Sequence, residues 1–487
     1  MKAHKIFVIT GAIAANVMAG GLNTNTNQSI AYQRNVARYA TTENDAPYFN
    51  PAGTAFMKDG WHLSLNSQAF WQSRSTVTES PLFDGDGEKK FEGKAQIPAM
   101  PSILATWHRG KLAISGYFGI LGGGGKLNYT KGIPSFEAAI AQIPGLLSQS
   151  GLETSAYDVD LSLKGASYVY GIGLGAAYQI NDMFSAYLGA KFCYATNHYE
   201  GKLKNVQLNP KNAQLGLNGD MVKAAATFNA ISDGLAEKAE QAAGAAKQYA
   251  AAGDMQTAAQ YEAQAKELTI KSKTFESVAE QVSDRELDVT QTGWGITPIA
   301  GIAFKYKRLT AGIKLEYNTS IEMENDTKVN EVGLSNFDDG VKAHSDIPAS
   351  VYMGVTYAVL DNFRVSAGYG HWFDWYADLP GNQEEHADGT DEYLAGMEFD
   401  FLSRWTVSGG VQYSRYHLDD DYLSDMNIML DNVTLGGGFA FRATDWVKFN
   451  VGYFHTIYQD WTEKESYGKN TYKRTSRGIG IGADLDF

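Results

Sequence analysis

The sequence predicts an all-β membrane protein, a transmembrane barrel of fourteen antiparallel strands. Three observations support this prediction: apolar residues alternate with small or polar ones along many segments, the links between those segments alternate between short and long, and an export signal comes first. The composition agrees, because 51 Gly, 28 Tyr, 23 Phe and 9 Trp in 487 residues amount to heavy use of residue types that suit strands and membrane interfaces.

The first residues are typical of an export signal. Residues 1–5 are basic, residues 6–17 are apolar without an acidic side chain, and Val17-Met18-Ala19 places small residues at the positions that a signal peptidase recognises. We therefore predict a signal peptide at residues 1–19, with a mature chain that begins at Gly20. An uncleaved membrane anchor is the alternative, but the apolar stretch is well short of the roughly 20 residues that a spanning helix needs.

The strand prediction rests on a period of two in the sequence. Several segments place apolar side chains on one face only, among them Val433, Leu435, Phe439 and Phe441, then Val447, Phe449, Val451 and Tyr453, and finally Ile479, Ile481, Leu485 and Phe487. In a barrel this apolar face meets lipid, whereas in a soluble sandwich it faces the core. Alternation alone therefore allows both folds.

The links between the predicted strands favour the barrel. The strands begin near residues 61, 100, 111, 158, 184, 286, 309, 346, 363, 391, 405, 432, 447 and 474. Every second link is tight, at 109–110, 181–182, 305–308, 361–362, 402–403 and 444–445, and the others are long, at 72–99, 126–157, 200–285, 323–345, 377–390, 417–431 and 460–473. Bacterial outer-membrane barrels have short turns toward the periplasm and long loops outside, whereas a sandwich has no reason to sort its loops.

The end of the chain and its aromatic clusters agree with an outer-membrane location in a Gram-negative bacterium. Because the strand count is even, the chain ends on the rim of short turns, at the terminal aromatic Phe487. Such an end is typical of barrels that are recognised by the barrel-assembly machinery, which we expect as a partner. Aromatic clusters at 371–376 and 458–461 suit the membrane interface. We expect a monomer surrounded by outer-membrane lipid and lipopolysaccharide.

Two stretches interrupt the strand pattern and predict helices in outer loops. The first, about 133–152, has Phe136, Ile140, Ile143 and Leu147 at helical spacing. These four side chains either pack on neighbouring loops or form a hydrophobic capture site for a ligand. The second, about 220–284, predicts a helical hairpin with a break at 252–254 and an apolar stripe of Tyr261, Ala265, Leu268, Phe275, Val278 and Val282.

Residues 20–58 precede the first strand and do not alternate. They are polar and irregular, with a turn-forming sequence from Ala46 to Gly53. A barrel of fourteen strands encloses more space than its own side chains fill, and irregular backbone is tolerated at membrane depth where protein shields it from lipid. We therefore predict that residues 20–58 form a plug inside the barrel, and that residues 59–487 form the barrel itself. A loose periplasmic tail is the alternative.

Three motifs give a resemblance to a known family. The sequence from Phe49 to Gly53, with Asn50, Pro51, Ala52 and Gly53, resembles the Asn-Pro-Ala hatch motif of the FadL family of transporters for long-chain fatty acids and aromatic hydrocarbons. Residues 291–298 resemble its Gly-Trp-Gly strand, and residues 346–357, followed by Trp372 and Trp375, resemble its Leu-Pro strand and the Asp-Trp after it. Together the three motifs and the strand count cover essentially the whole mature chain.

The resemblance implies a fourteen-strand barrel closed by an N-terminal hatch. It also implies that hydrophobic ligands are captured on outer loops and released sideways to the membrane, through a gap where the third strand kinks. The third predicted strand contains Gly119 and Gly122, which permit such a kink. The alternative role of these glycines is to leave space for the hatch, without a kink.

Little in the sequence points to catalysis. The Gly-x-Ser-x-Gly, HExxH and phosphate-loop motifs are absent, so we predict no enzyme and no cofactor. The net charge of −14 argues against nucleic acid. The acidic runs 84–88 and 419–421 are more typical of solvated loops than of Ca²⁺ sites, so no metal is expected. The leading hypothesis is an uptake channel for hydrophobic molecules; the alternative is a surface adhesion or partner-binding barrel that uses the hairpin at 220–284.

Overall fold

The computed structural model describes residues 22, 24–83 and 87–487. The predicted signal peptide and its cleavage site lie outside the described residues. No helix in the described part of the chain is long and apolar enough to cross a membrane.

The structure confirms the predicted antiparallel barrel of fourteen strands. The last strand pairs with its predecessor, for example Ile481 with Val451, and also with the first strand, for example Asp484 with Ser64, so the sheet closes. The strands are β1 (Gly60–Glu79), β2 (Glu88–Arg109), β3 (Leu112–Tyr129), β4 (Tyr157–Gln179), β5 (Phe184–Leu208), β6 (Arg285–Tyr306), β7 (Leu309–Glu316, continued by Glu322–Asn330), β8 (Lys342–His344 and Ser350–Leu360), β9 (Phe363–Trp372), β10 (Ala387–Phe401), β11 (Trp405–Leu418), β12 (Asn432–Thr444), β13 (Val447–Tyr458, continued by Trp461–Glu465) and β14 (Gly468–Asp486).

The six tight links lie where the sequence predicts them, all on one rim. Several turn residues there have positive φ, including Gly110 at 62° and Lys307 at 53°. Three of the predicted long loops are wrong in extent. Within 323–345, the strand segments Glu322–Asn330 and Lys342–His344 take up about half of the residues. β1 continues to Glu79 and β2 begins at Glu88, so most of 72–99 is strand, and most of 460–473 is a hairpin that pairs Glu465 with Gly468.

These outer strand extensions have a simple physical explanation. Beyond the membrane, both faces of a strand carry polar side chains, so the alternation of apolar and polar residues ends while the alternation of burial continues. In β1, Thr76 and Thr78 are buried and Glu79 is exposed, although none of the three is apolar. A search for apolar alternation therefore ends each strand too early.

The lipid-facing surface is apolar and ends in exposed aromatic residues. Trp61 and Trp446 are exposed at the turn rim, and Trp294 and Trp375 lie nearer the loop rim. Trp372 differs from the predicted interfacial role, because its side chain faces the lumen and is fully buried.

Six α-helices and several 3-10 helices accompany the barrel in the described residues. Three lie before β1: α1 (Ile30–Arg34), α2 (Ala46–Phe49) and a 3-10 helix (Pro51–Phe56). α3 (Pro134–Ala141) and α4 (Ile143–Gln149) lie between β3 and β4. α5 (Ala224–Ala251) and α6 (Met255–Gln281) form an antiparallel hairpin between β5 and β6.

The hairpin packs through a repeat of seven residues. Its buried positions are Phe228, Ser232, Leu235, Ala239 and Ala242 on α5, and Ala258, Ala265, Ser272 and Ala279 on α6. This spacing is that of an antiparallel coiled coil, and the small side chains let the helices approach closely. The Ser232 and Ser272 hydroxyl oxygens lie 3.0 Å apart in the half of the hairpin nearer its base. Of the predicted stripe, Ala265 and Val282 are buried and the larger members are partly exposed or half-buried.

Candidate functional site

The N-terminal segment, which we define as residues 24–58, lies inside the barrel. Nearly every side chain from Thr24 to Ala55 is buried. Inner-wall glycines allow this close approach: a Cβ on Gly396 would lie 1.8 Å from Asn35 Oδ1, and a Cβ on Gly452 would lie 2.6 Å from Gln33 Cβ. The high glycine content of the chain thus has a packing role in addition to its role in turns.

The Asn-Pro-Ala-Gly sequence folds the segment back on itself. Asn50 Nδ2 donates to Thr41 O at 2.9 Å, and the Gly53 N–H donates to Asn50 O at 2.8 Å. A Cβ on Gly53 would lie 2.6 Å from Thr41 O, so a side chain there would push the backbone at Gly53 away from the backbone at Thr41. Pro51 begins the 3-10 helix, where its fixed φ and missing N–H are tolerated. The Ser185 hydroxyl of β5 donates to Ala52 O at 2.7 Å, which ties the motif to the wall.

Ion pairs connect the segment to the wall near the turn rim. Arg34 Nη1 lies 3.3 Å from a Glu398 carboxylate oxygen, and Lys448 Nζ lies 3.4 Å from Glu43. Within the segment, Arg38 Nη2 donates to Asp45 Oδ1 at 2.7 Å. The two pairs with the wall line a polar cavity of about 190 Å³. The sequence gives no signal for the two pairs with the wall, because their partners are 364 and 405 residues apart.

A second charged group lies deeper in the lumen. The Glu316 carboxylate accepts from Lys191 Nζ at 2.5 Å and from Lys314 Nζ at 2.8 Å, and all three side chains are buried. Lys314 Nζ also donates to Tyr48 O at 2.8 Å and lies 4.1 Å from the centre of the Tyr352 ring. Two ammonium groups thus share one carboxylate. The Tyr352 ring and the Tyr48 carbonyl stabilise the positive charge of Lys314 in addition.

The ladder between β2 and β3 is interrupted, and we call the interrupted stretch the break. The two strands pair from the turn up to Ile103 and Phe118, and then not again until Lys94 and Asn128. Between these points the described residues of β2 and β3 form no ladder pairs with each other. β3 remains paired with β4 throughout.

The sequence of β2 explains its side of the break. Pro98 and Pro101 have no N–H, so β2 loses two backbone donors within the break. Proline is tolerated where a strand has a free edge, and here β2 stays paired with β1 only, for example Pro101 with Ser67. These two prolines are the signal in the sequence that marks the break on β2.

The sequence of β3 explains the other side. Its register against β4 shifts between Ile120 and Gly122 and again between Gly123 and Gly125. Gly123 has φ of 64°, a conformation that favours glycine. The predicted kink residues Gly119 and Gly122 lie in this stretch. A Cβ on Gly119 would lie 2.2 Å from Gln28 Oε1, so Gly119 also makes room for the N-terminal segment.

The predicted capture residues lie in an apolar cluster between the outer loops, which we call the outer cluster. Phe136, Ile140, Ile143 and Leu147 are each at most 6 % exposed. They pack with residues from strand ends, loops and the base of the hairpin, including Phe91, Leu127, Tyr157, Leu161, Tyr199, Phe228, Val282 and Val289. The structure thus brings the four together, in contact with neighbouring loops.

Polar contacts fix α3 over this cluster. The Ser135 N–H at the start of α3 donates to Asp425 Oδ2 at 2.8 Å, across from the loop between β11 and β12. Burial raises the pKa of the Asp425 carboxyl, and the hydrogen bond from Ser135 opposes that rise. On the other side, the Tyr157 hydroxyl donates to Glu137 Oε1 at 2.8 Å. A surface groove of about 530 Å³ runs beside these residues.

The second acidic run lies beside a histidine. His386 Nδ1 lies 2.9 Å from Asp419 Oδ2. His386, Asp419 and Asp421 each have one atom able to bind a metal ion, and these three atoms lie within 4.8 Å of one another. Asp419 also accepts the N–H of Asp421, so its carboxylate has hydrogen-bond partners of its own. Part of the first run, residues 84–86, lies outside the described residues.

Comparison with known proteins identifies the fold. No protein-family model matches the sequence, and no match to a curated protein sequence is found. A FadL homologue from Pseudomonas aeruginosa superposes with a TM-score of 0.58 at 12% identity, covering 97% of this chain and 100% of that chain. The toluene transporter TodX from P. putida gives 0.51 at 11% identity, with 92% and 95% covered. The toluene transporter TbuX from Ralstonia pickettii gives 0.50 at 14% identity, with 91% and 94% covered. The chain therefore has the fold of the FadL-type transporters.

Proposed function

We propose that the chain is an uptake channel of the Gram-negative outer membrane for hydrophobic small molecules, such as long-chain fatty acids, and that it releases them sideways through the break. The observation that supports this most directly is the interrupted ladder between β2 and β3. The similar solved structures are named as a FadL homologue and as toluene transporters, which supports a hydrophobic cargo.

The packing of the lumen favours a sideways route. The N-terminal segment acts as a hatch, because it fills the barrel and ion pairs such as Arg34–Glu398 attach it to the wall. The inner surface near the break is apolar, with Ile97, Met100 and Leu121 buried there. A hydrophobic ligand gains about 0.8 kcal/mol per buried CH₂ from such surroundings. It then reaches lipid without crossing the polar groups at the turn rim.

Capture takes place on the outer loops. Phe136, Ile140, Ile143 and Leu147 offer apolar surface of the right kind, although each is covered by its neighbours in the outer cluster. A ligand that binds there inserts between α3 and the adjoining loops and replaces contacts that these side chains make with each other. The barrel works as a monomer, assembled by the barrel-assembly machinery and surrounded by lipid and lipopolysaccharide.

The test is to obstruct the break with larger side chains on β3. Gly119→Leu and Gly122→Leu place side chains where β3 leaves β2, and we expect uptake of a radiolabelled fatty acid to fall to the level of cells without the protein. Gly409→Leu is the matched control, because its nearest neighbour beyond Cβ is a backbone oxygen 3.6 Å away on β12. Cell-surface amounts of folded barrel are compared for all variants. Equal uptake by the three variants at equal amounts would exclude release through the break.

A further inference from the structure

One residue of the N-terminal segment hydrogen-bonds to both strands that border the break. The Ser102 hydroxyl of β2 donates to Gln28 O at 2.7 Å. The Gln28 side-chain amide Nε2 donates to Ile120 O of β3 at 2.9 Å. Gln28 is 2 % exposed, so it lies directly behind the break on the lumen side.

A second residue of the segment holds the next part of β3. The backbone N–H of Asn25 donates to Leu121 O at 2.7 Å, and its Nδ2 donates to Gly123 O at 2.7 Å. The Gln28 amide also donates to Asn25 O at 3.0 Å, which joins the two residues. Asn25 and Gln28 together therefore serve three β3 carbonyls, those of residues 120, 121 and 123.

These carbonyls need donors that β2 lacks in this stretch. A buried carbonyl without a hydrogen bond is destabilising, because it has lost its bond to water. Pro98 and Pro101 remove two N–H groups from β2, and β2 forms no ladder pairs with β3 in this stretch. The amides of Asn25 and Gln28 supply hydrogen bonds in place of the β2 backbone.

We propose that Asn25 and Gln28 are positioning residues of the break: they bind the β3 backbone from inside and hold it at a fixed separation from β2. The N-terminal segment is thereby one border of the opening as well as a filling of the lumen. The importance of this separation for transport rests on the proposed function, whereas the separation itself is a property of the fold.

Asn27 provides a matched control within the same segment. Its side-chain amide hydrogen-bonds to the Gln68 side chain on β1, and Gln68 Nε2 donates to Asn27 O at 2.9 Å. Its hydrogen bonds thus go to β1 and not to β3. Replacing Asn27 removes a buried amide from the segment without removing a bond to the break.

The experiment measures the separation of the two strands directly. Spin labels are attached to cysteines at the exposed positions Ala99 on β2 and Lys126 on β3, with the buried Cys193 replaced by Ala, and the distance distribution is recorded by pulsed EPR. Gln28→Met keeps the length of the side chain and removes the Nε2 donor. Asn25→Leu keeps the size of the side chain and removes the Nδ2 donor. We expect both variants to shift or broaden the distribution, and Asn27→Leu to leave it unchanged.

Two results would overturn the proposal. One is an unchanged distribution in both Gln28→Met and Asn25→Leu, which would mean that the prolines and glycines alone fix the break. The other is an equal change in Asn27→Leu, which would assign the effect to the segment as a whole. Gln28 and Asn25 are tested separately, so a folding failure of one variant leaves the other to decide.

The same variants separate this inference from the proposed function. A changed distance with undiminished uptake of a labelled fatty acid would support the positioning role and contradict sideways release. Unchanged distances, together with a loss of uptake in Gly119→Leu, would support sideways release and contradict the positioning role.

Discussion

Glycine residues on the inner wall determine how closely the N-terminal segment approaches the strands. A Cβ on Gly354 would lie 2.7 Å from backbone and side-chain atoms of Tyr39, and one on Gly436 would lie 2.5 Å from Gln33 O. Interiors are packed so densely that even one added methyl group requires neighbours to move. Each of these glycines is therefore part of the binding surface for the segment.

Gly396→Ala tests this role at a single position. The new methyl group would lie 1.8 Å from Asn35 Oδ1, and we expect it to weaken the packing of the segment by about 1–3 kcal/mol, the usual cost of overpacking. Hydrogen exchange of the segment measures the effect. Gly437→Ala is the control, because the nearest atom to a Cβ there, Ser408 O, lies at 3.7 Å. Equal exchange in both variants would show that the wall yields at Gly396.

Individual residues differ in how far the sequence predicts their roles. The Asn50–Gly53 motif can be recognised in the sequence, and its hydrogen bonds within the segment are local. Pro98 and Pro101 also mark a strand edge in the sequence, although the partner strand that they face comes only from the structure. The pair Arg34–Glu398 depends on residues far apart in the chain, and alternation within one strand says nothing about which charges meet in the lumen.

Among whole elements, the membrane-crossing strands were predicted closely and their outer extensions were not. The reason is the solvent: lipid on one side selects apolar residues at every second position, and water on the outside removes that selection. The helical hairpin could be predicted because its own two helices bury each other. Its repeat of Ala258, Ala265, Ser272 and Ala279 needs no partner elsewhere in the barrel.

The hairpin has a base that packs on the outer cluster and a distal part that contacts mainly itself. Phe228 at the base is fully buried and stacks on Phe275 with ring centres 5.8 Å apart. Replacing residues 239–266 by a short turn should therefore leave folding and fatty-acid uptake unchanged. Phe228→Ala should destabilise the outer cluster by about 3–5 kcal/mol, measured as faster proteolysis of the outer loops.

The trimmed hairpin also bears on the alternative function. Lost uptake in the trimmed variant would contradict our expectation and give the distal part a role in transport. Retained uptake with lost attachment to a surface or partner would support a second role for the hairpin in binding.

At the scale of the whole molecule, the barrel and the N-terminal segment depend on each other. The fourteen strands enclose a lumen whose wall is lined in many places by glycine and small polar residues rather than by bulky side chains. Such a wall does not fill a barrel of this width. The segment supplies the missing volume, and its ion pairs with Glu398 and Lys448 attach it to β10 and β13.

Deleting residues 20–58 tests this dependence. The strands keep their ladder partners, so we expect the barrel to assemble, but the lumen should become a water-filled pore. The measurement is single-channel conductance in planar bilayers, where the full-length protein should be nearly closed and the deletion variant should conduct ions continuously. Cells that carry the deletion variant should also become sensitive to a large polar antibiotic. The double variant Arg34→Ala, Arg38→Ala is informative as a control, because it removes the ion pairs of the segment with Glu398 and keeps the segment in the chain; we expect brief openings rather than a permanent pore. If the deletion variant assembles and conducts no more than the full-length protein, the strands close the lumen by themselves and the segment is not a hatch.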